Sequence, residues 1–434
     1  MYKTLKSTSF IPDVPSSSLR LQISYFSNLT SKMVRISAFA VEQWMDTYET
    51  SAKHNLAETC SASISLNDLL ALAPKDNLVD YSQKQVYGAI RGTEALRTNI
   101  ANLYSPARSS LSKISAEGVL VTNGAIQANF LSLYTNVGPD DHVICQYPTY
   151  QQLYSVPESF GAEVSLWKSD EEKGWGMDLE QLRALVKPNT KMIILNNPQN
   201  PTGAVLQREE LQAIVDIARE HGIMIHSDEV YGPLFHSLDR EEDIPPSILE
   251  FGYDKVIATG SMSKAFSLAG IRLGWIASPN STIIEACASA RDYTLISVGQ
   301  IDDSVATHAL SQPCVDNLLQ RNLQLARQNL AALDAFINEY SWAVKWTRPK
   351  AGTTAFLKFV NKDGRAIDDV EFCKVLQEKT GAMLVPGSKC FGGDVDFRGY
   401  VRMGYVPENQ VMVDGLKALR HFMADEYEKL PPAN

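Results

Sequence analysis

Lys264 stands in Ser261-Met262-Ser263-Lys264, and Arg272 follows eight residues later between Gly270 and Gly274. An amine, two hydroxyls and a guanidinium in one turn are groups that could hold an aldehyde and a dianionic phosphate together. The lysine would form the imine, and a dry, cationic surround would lower its pKa and make it nucleophilic. Ser261, Ser263 and the planar fork of Arg272 would grip the phosphate. Alone the stretch decides little, because a lysine in a Ser/Gly loop is usually a solvated surface residue. Its partners elsewhere in the chain decide.

Four further polar signals fall where strands are expected to end. Thr122-Asn123-Gly124-Ala125-Ile126 joins a strand to a helix. A glycine there lets backbone N–H groups and the helix N-terminus face an anion, although an ordinary turn has the same look. Asn196-Asn197-Pro198-Gln199-Asn200-Pro201-Thr202-Gly203 makes a rigid, irregular loop. An asparagine held there can donate to a phenolate oxygen. Ser227-Asp228-Glu229-Val230-Tyr231 puts a carboxylate at a buried strand end. That is costly unless the acid is paired, and a protonated ring nitrogen would pair it. Read by itself, Asp228 could equally cap a helix. Tyr147-Pro148-Thr149-Tyr150 offers an aromatic that either stacks on a flat ring or packs in the core. Far downstream, Arg402 lies in Tyr400-Val401-Arg402-Met403-Gly404. It wants a carboxylate, from a ligand or from a protein acid.

The elements that must position these groups are read from apolar periodicity. Strands are predicted at 118–122, 142–146, 163–167, 191–195, 223–226, 255–259 and 273–277. Helices are predicted between them at 124–137, 149–160, 179–186 and 208–221. Such alternation means an α/β fold with a mainly parallel sheet covered on both faces. In such sheets the site lies beyond the carboxyl ends of the strands. From 280 to 335 the pattern reads as long helix, and from about 341 it changes to a smaller α+β unit.

Composition narrows the class. The 434 residues exceed one ordinary domain, and the net charge of −10 argues against nucleic acid or an anionic membrane as the main partner. The six cysteines are scattered without close pairs, and the seven histidines form no HxxxH, so neither a disulfide framework nor a metal site is expected. Residues 1–35 are Ser-rich and basic, with one acid, Asp13. They read as a transit peptide, a disordered tail or an upstream start before Met33. The compartment expected is the cytoplasm, with mitochondrial targeting as the alternative.

Together the motifs NPQNPTG, SDEVY, SMSKAFSLAGIRLGW and VRMGY resemble those of the fold-type-I pyridoxal-phosphate enzymes, specifically the class I/II aminotransferases, over about residues 38–425. The resemblance implies a three-layer PLP-transferase fold with pyridoxal 5'-phosphate as cofactor. It implies a domain plan of 36–80 packing with the small domain, 81–310 as the large cofactor-binding domain and 311–434 as the small domain. Lys264 would carry the Schiff base and shuttle the proton, with Asp228 on the pyridine nitrogen. Asn200 and Tyr231 would bind the phenolic oxygen, and Tyr150 would stack on the ring. Gly124, Ala125, Ile126, Ser261, Ser263 and Arg272 would hold phosphate, with Tyr87 reaching it across a homodimer interface. Arg402, with Asn200, would bind the substrate carboxylate. The substrates implied are an α-amino acid and a 2-oxo acid. Two segments depart from the usual pattern, NLAETCSASISL near residue 60 and Lys350-Ala351-Gly352-Thr353-Thr354-Ala355-Phe356. Both resemble the capreomycidine synthase branch, as do EQWMDTYE and Arg291-Asp292-Tyr293-Thr294-Leu295. That branch eliminates and cyclises on a hydroxylated arginine, so the alternative chemistry is elimination, replacement or cyclisation.

Overall fold

The computed structural model describes residues 36–75, 77–104, 114–238, 240 and 243–433. The N-terminal extension at 1–35 therefore lies outside the described residues.

Seven strands form the central sheet: β2 (Val119–Thr122), β3 (His142–Tyr147), β4 (Glu163–Lys168), β5 (Thr190–Asn196), β6 (Met224–Asp228), β7 (Val256–Ser261) and β8 (Gly274–Ala277), with β1 (His54–Asn55) placed elsewhere. Their order is β2-β8-β7-β6-β5-β3-β4. Only β8 runs against its neighbours, pairing antiparallel with β2 and β7. The inner strands are apolar without alternation, as a sheet covered on both faces requires. The crossover from β2 to β3 is α4 (Gly124–Asn136), which follows α1 (Ala40–Tyr48), α2 (Leu66–Leu72) and α3 (Glu94–Leu103) in the chain. Next come α5 (Gln152–Ser159), α6 (Leu179–Leu185) and α7 (Arg208–His221). The last has its predicted ends for local reasons. Glu210 closes a capping box on Gln207, and Gly222 adopts the left-handed conformation that stops the helix.

The stretch read as long and helical consists of three helices: α8 (Ser281–Arg291), α9 (Gln300–Ala309) and α10 (Cys314–Glu339). Pro313 precedes the third at its N-cap, where a missing N–H is harmless, and it separates α9 from α10. Cys314, Val315 and Leu318 of α10 pack into the core of the seven-stranded sheet. Ala326, Leu330 and Leu333 of the same helix pack into a second core. That core holds β9 (Val344–Trp346), β10 (Thr354–Phe359), α11 (Asp369–Thr380), β11 (Ala382–Met383), β12 (Val385–Pro386), α12 (Gly387–Phe391), β13 (Tyr400–Gly404) and α13 (Asn409–Asp425). The small sheet is antiparallel with order β12-β13-β10-β9. Sequence periodicity missed β9 and α12, which are too short to establish a period. The first part of the N-terminal segment packs here as well, whereas Leu69, Ala73 and Leu78 further along it join the core of the seven-stranded sheet. Val41 and Trp44 of α1 join the second core, and β1 pairs with β11.

Candidate active site

Three central strands end in polar residues at one level. Asn196 pairs in register with Asp228, and Asp228 with Thr259. Ser261 closes β7, and the turn after it delivers Ser263 and Lys264. A cavity of about 280 Å³ opens above these ends.

The anion end is built by close backbone approach. Gly124 is in the left-handed region, and a Cβ on it would come within 2.9 Å of the Arg272 guanidinium. A Cβ on Gly274 would meet the Gly124 carbonyl carbon at 2.4 Å, so only glycine fits. Ala125 and Ile126 follow at the first turn of α4 and line the cavity with Ser261, Ser263 and Arg272. Arg272 donates to the Ala269 carbonyl at 2.8 Å and lies 3.5 Å from Ser263 Oγ, with no acid partner among the described residues. A cation beside free N–H groups at a helix start fits a phosphate.

Asp228 is 3% exposed. Burial pushes its pKa up to about 6, against hydrogen bonds from Asn129 and the Val230 N–H and the charge of Lys264. It is the last residue of β6, and no helix begins there for it to cap. A buried carboxylate so raised is stabilised by a cation in the cavity, as a protonated ring nitrogen would be. Asn200 and Tyr231 line the same wall. The Asn200 N–H is held by Asn196 Oδ1 at 2.7 Å. Tyr150 also lines it, and its hydroxyl donates to Glu42 at 2.9 Å.

Lys264 reverses one expectation. Its pKa is raised, not lowered. Burial does disfavour the ammonium, but Cys60, Tyr231 and Glu58 outweigh it. The amine donates to Thr59 Oγ1 at 2.6 Å and sits 3.4 Å from Cys60 Sγ and 4.0 Å from Glu58. Sequence reasoning marked the segment around residue 60 as unusual, but it did not place these three side chains on the lysine. They are about 200 residues away in the chain, so no spacing rule connects them. Burial works against the charge of Glu58, yet Lys264 and the N–H groups of Thr59 and Cys60 pull its pKa below the usual range.

Arg402 is 4% exposed and lines the cavity. It donates to the Ala57 carbonyl at 3.1 Å and lies 3.5 Å from Asn200 Oδ1. Its Nε has no partner, and no protein acid pairs with it among the described residues. Arg402 is therefore a buried cation at the cavity with no acid partner among the described residues. Tyr87 is not brought to this cavity. It is 76% exposed on the chain's surface. Gly124 shapes the cradle without lining the cavity itself. Glu42, Glu49, Glu58 and Cys60 also line it, from the two segments marked in the sequence but given no role there, and so does Asn129, which sequence reasoning did not single out.

An anion cradle, a primary amine and a buried carboxylate facing one cavity at the strand ends define a site for pyridoxal 5'-phosphate. The chain belongs to the aminotransferase class I and II family, whose profile matches residues 62–414, and it is a pyridoxal-phosphate-dependent aminotransferase. It is 26% identical over 359 residues to a capreomycidine synthase from Streptomyces vinaceus, covering 82% of this chain and 87% of that one. An aspartate aminotransferase from Thermotoga maritima is 29% identical over 337 residues, 77% of this chain and 82% of that one. A PLP-dependent aminotransferase structure from Streptococcus suis superposes with TM-score 0.81 at 41% identity, covering 90% of this chain and 98% of that one. Among the described residues no helix is long and apolar enough to cross a membrane.

Proposed function

We propose that this aminotransferase takes its amino group from an α-amino acid with a cationic side chain and passes it to a 2-oxo acid. The observation behind this reading is the charge on one cavity wall. Asp228, Lys264, Arg272 and Arg402 each have a task in cofactor or carboxylate binding. Three further carboxylates line the cavity: Glu49, Glu42, which accepts from Tyr150, and Glu58, 4.0 Å from Lys264. Burial, then repulsion from Glu58 and Glu42, raises the pKa of Glu49. A cationic side chain would relieve that repulsion. At about 4 Å and an effective dielectric of about 20, one such pair is worth about 4 kcal/mol before desolvation.

The remaining roles follow from position. The cofactor supplies an electron sink for the carbanion formed at the substrate α-carbon. Lys264 would hold the cofactor through its aldehyde, and its amine, when free, would be the group that moves the substrate α-proton. Asp228 keeps the ring nitrogen protonated. Asn200 and Tyr231 would donate to the phenolic oxygen, and Tyr150 would stack on the ring. Ser261, Ser263, Arg272 and the N–H groups from Gly124 to Ile126 hold the phosphate. Arg402 takes the substrate carboxylate bidentately. A homodimer would bring Tyr87 to the partner's phosphate. The lobes would divide near 310/311 with α10 shared between them, and 36–80 would attach to the smaller one through Val41, Trp44 and β1 while Leu69 and Ala73 pack into the larger core. Six free, buried cysteines support a reducing compartment such as the cytosol.

Comparing lysine with norleucine, which lacks only the terminal ammonium, tests the side-chain reading. The expected preference for lysine in kcat/KM is about 10- to 100-fold, shrinking in Glu42→Gln and Glu58→Gln. Equal use of norleucine contradicts it. Arg402→Ala is expected to raise the amino-acid KM by about 100-fold, and Arg402→Lys to recover little because the fork is lost. An unchanged KM removes Arg402 from carboxylate binding.

A further inference from the structure

The carboxylate of Asp228 is held by a side chain from a different layer of the fold. Asn129 lies on α4, is 1% exposed, and donates from Nδ2 to Asp228 Oδ2 at 2.9 Å. The same Nδ2 lies 3.3 Å from Gln152 Oε1. On the other side of the amide, Oδ1 accepts from the Thr259 hydroxyl at 2.6 Å and faces His226 Nε2 at 3.2 Å. Two donors and two acceptor positions are thus all engaged, which is the full capacity of an asparagine.

Strand and helix periodicity explain the convergence. His226 and Asp228 alternate by two along β6, so both side chains point to the same face. Asn129 and Ser132 are three apart on α4 and share the helix face that covers it. Ser132 Oγ reaches His226 Nδ1 at 3.2 Å, completing the contact on the second ring nitrogen. Thr259 is the register partner of Asp228 on the next strand.

Charge fixes the directions of these bonds. An ionised Asp228 can only accept, so Asn129 must present its NH₂ to it. Oδ1 must then accept from both remaining neighbours, so His226 carries its proton on Nε2. Burial alone pushes the His226 pKa down to about 3, so the ring is neutral and Nδ1 is free to accept from Ser132. A lone glutamine or water in place of Asn129 could turn around. This amide cannot, because both of its ends are committed.

We infer that Asn129 is the positioning residue for Asp228: anchored by Thr259 and neutral His226, it holds the carboxylate ionised and aimed at the cofactor's ring nitrogen. The inference rests on the Asp228 assignment proposed above. Without the amide donor Asp228 would turn and take up a proton more readily, and the ring nitrogen would lose its counter-ion.

The test uses the cofactor-loaded enzyme and the variants Asn129→Ala, Thr259→Val and Asp228→Asn. Asn129→Ala should lower kcat about 10- to 100-fold and weaken cofactor retention, the loss expected for a hydrogen bond to a charged group. The amino-acid KM should stay within about threefold, since Arg402 is untouched. The pKa read from the cofactor's absorbance should rise, because a less protonated ring withdraws fewer electrons. Thr259→Val keeps the shape and removes one anchor, so it should shift the same quantities by less, and it decides the matter if Asn129→Ala does not fold. Wild-type kcat, retention and absorbance pKa in both variants, beside a damaged Asp228→Asn, would overturn the role of Asn129 alone. An undamaged Asp228→Asn would overturn the Asp228 assignment itself.

Discussion

Lys264→Ala is expected to stop turnover while leaving the protein folded. The loss should be at least about 10⁴-fold, because one substitution removes both the anchor of the cofactor aldehyde and the base that moves the α-proton. Little structural damage should accompany it. The side chain is 24% exposed, and among the described residues its amine is hydrogen-bonded to Thr59 and Cys60 and paired with Glu58 at the cavity wall. Lys264→Arg separates charge from chemistry. A guanidinium can still face Glu58, but it has no neutral amine to offer, so it should be as inactive as alanine. Activity in the arginine variant would show that Lys264 acts only as a fixed charge. The raised pKa of the lysine adds a pH expectation. Its ammonium must give up a proton before it can attack, so reconstitution of cofactor-free enzyme should speed up as pH rises toward the alkaline range. A rate independent of pH would show that the amine is already neutral.

Asp228→Asn should trade function for stability. The paired ring nitrogen is worth about 4 kcal/mol at contact distance and an effective dielectric of about 20. Losing it in the transition state lowers kcat about 10³-fold. In the cofactor-free protein the sign reverses. Burial raises the folded pKa of Asp228 from 3.8 to about 6, so the folded state holds the proton more tightly than the unfolded chain. That contribution is fully present below the unfolded pKa and is lost as pH rises through about 6. Above that pH a buried charge remains, costing about 3 kcal/mol. Asparagine carries no such charge. Cofactor-free Asp228→Asn should therefore be more stable than wild type at pH about 7.5, and the gap should close toward pH about 4.5. Urea unfolding at both values measures it. A variant less stable than wild type at the higher pH contradicts the account of Asp228 as an unpaired buried acid.

Local chemistry and period explain what was legible in the sequence. Strands with consecutive apolar residues, such as Met192 to Leu195, declare a buried parallel sheet. Asp228 and Arg402 stand beside apolar runs where a charge is expensive and a partner is called for, whereas Lys264, in a Ser/Gly loop, became legible only together with the other motifs. The helix α7 is bounded by its own capping residues, which are sequence signals. What escaped was contact between segments far apart in the chain. Glu58, Thr59 and Cys60 reach Lys264 only through the tertiary fold, and Cys60 and Glu58, together with Tyr231, reverse the direction of its pKa shift. Asn129 reads as an ordinary polar residue in a helix until β6 is laid beneath it. The break before α10 was marked by Pro313 but lost within a long helical pattern.

The most direct test of the central claim is a single half-reaction. The cofactor-loaded enzyme is mixed with lysine or arginine and no 2-oxo acid, and its absorbance and products are followed together. Conversion of the cofactor to its aminated form, with one oxo acid released per site and no ammonia, is the predicted result. Continuous release of ammonia or of a cyclised product, with the cofactor never left aminated, would contradict transamination and place this chain with the eliminating and cyclising chemistry instead.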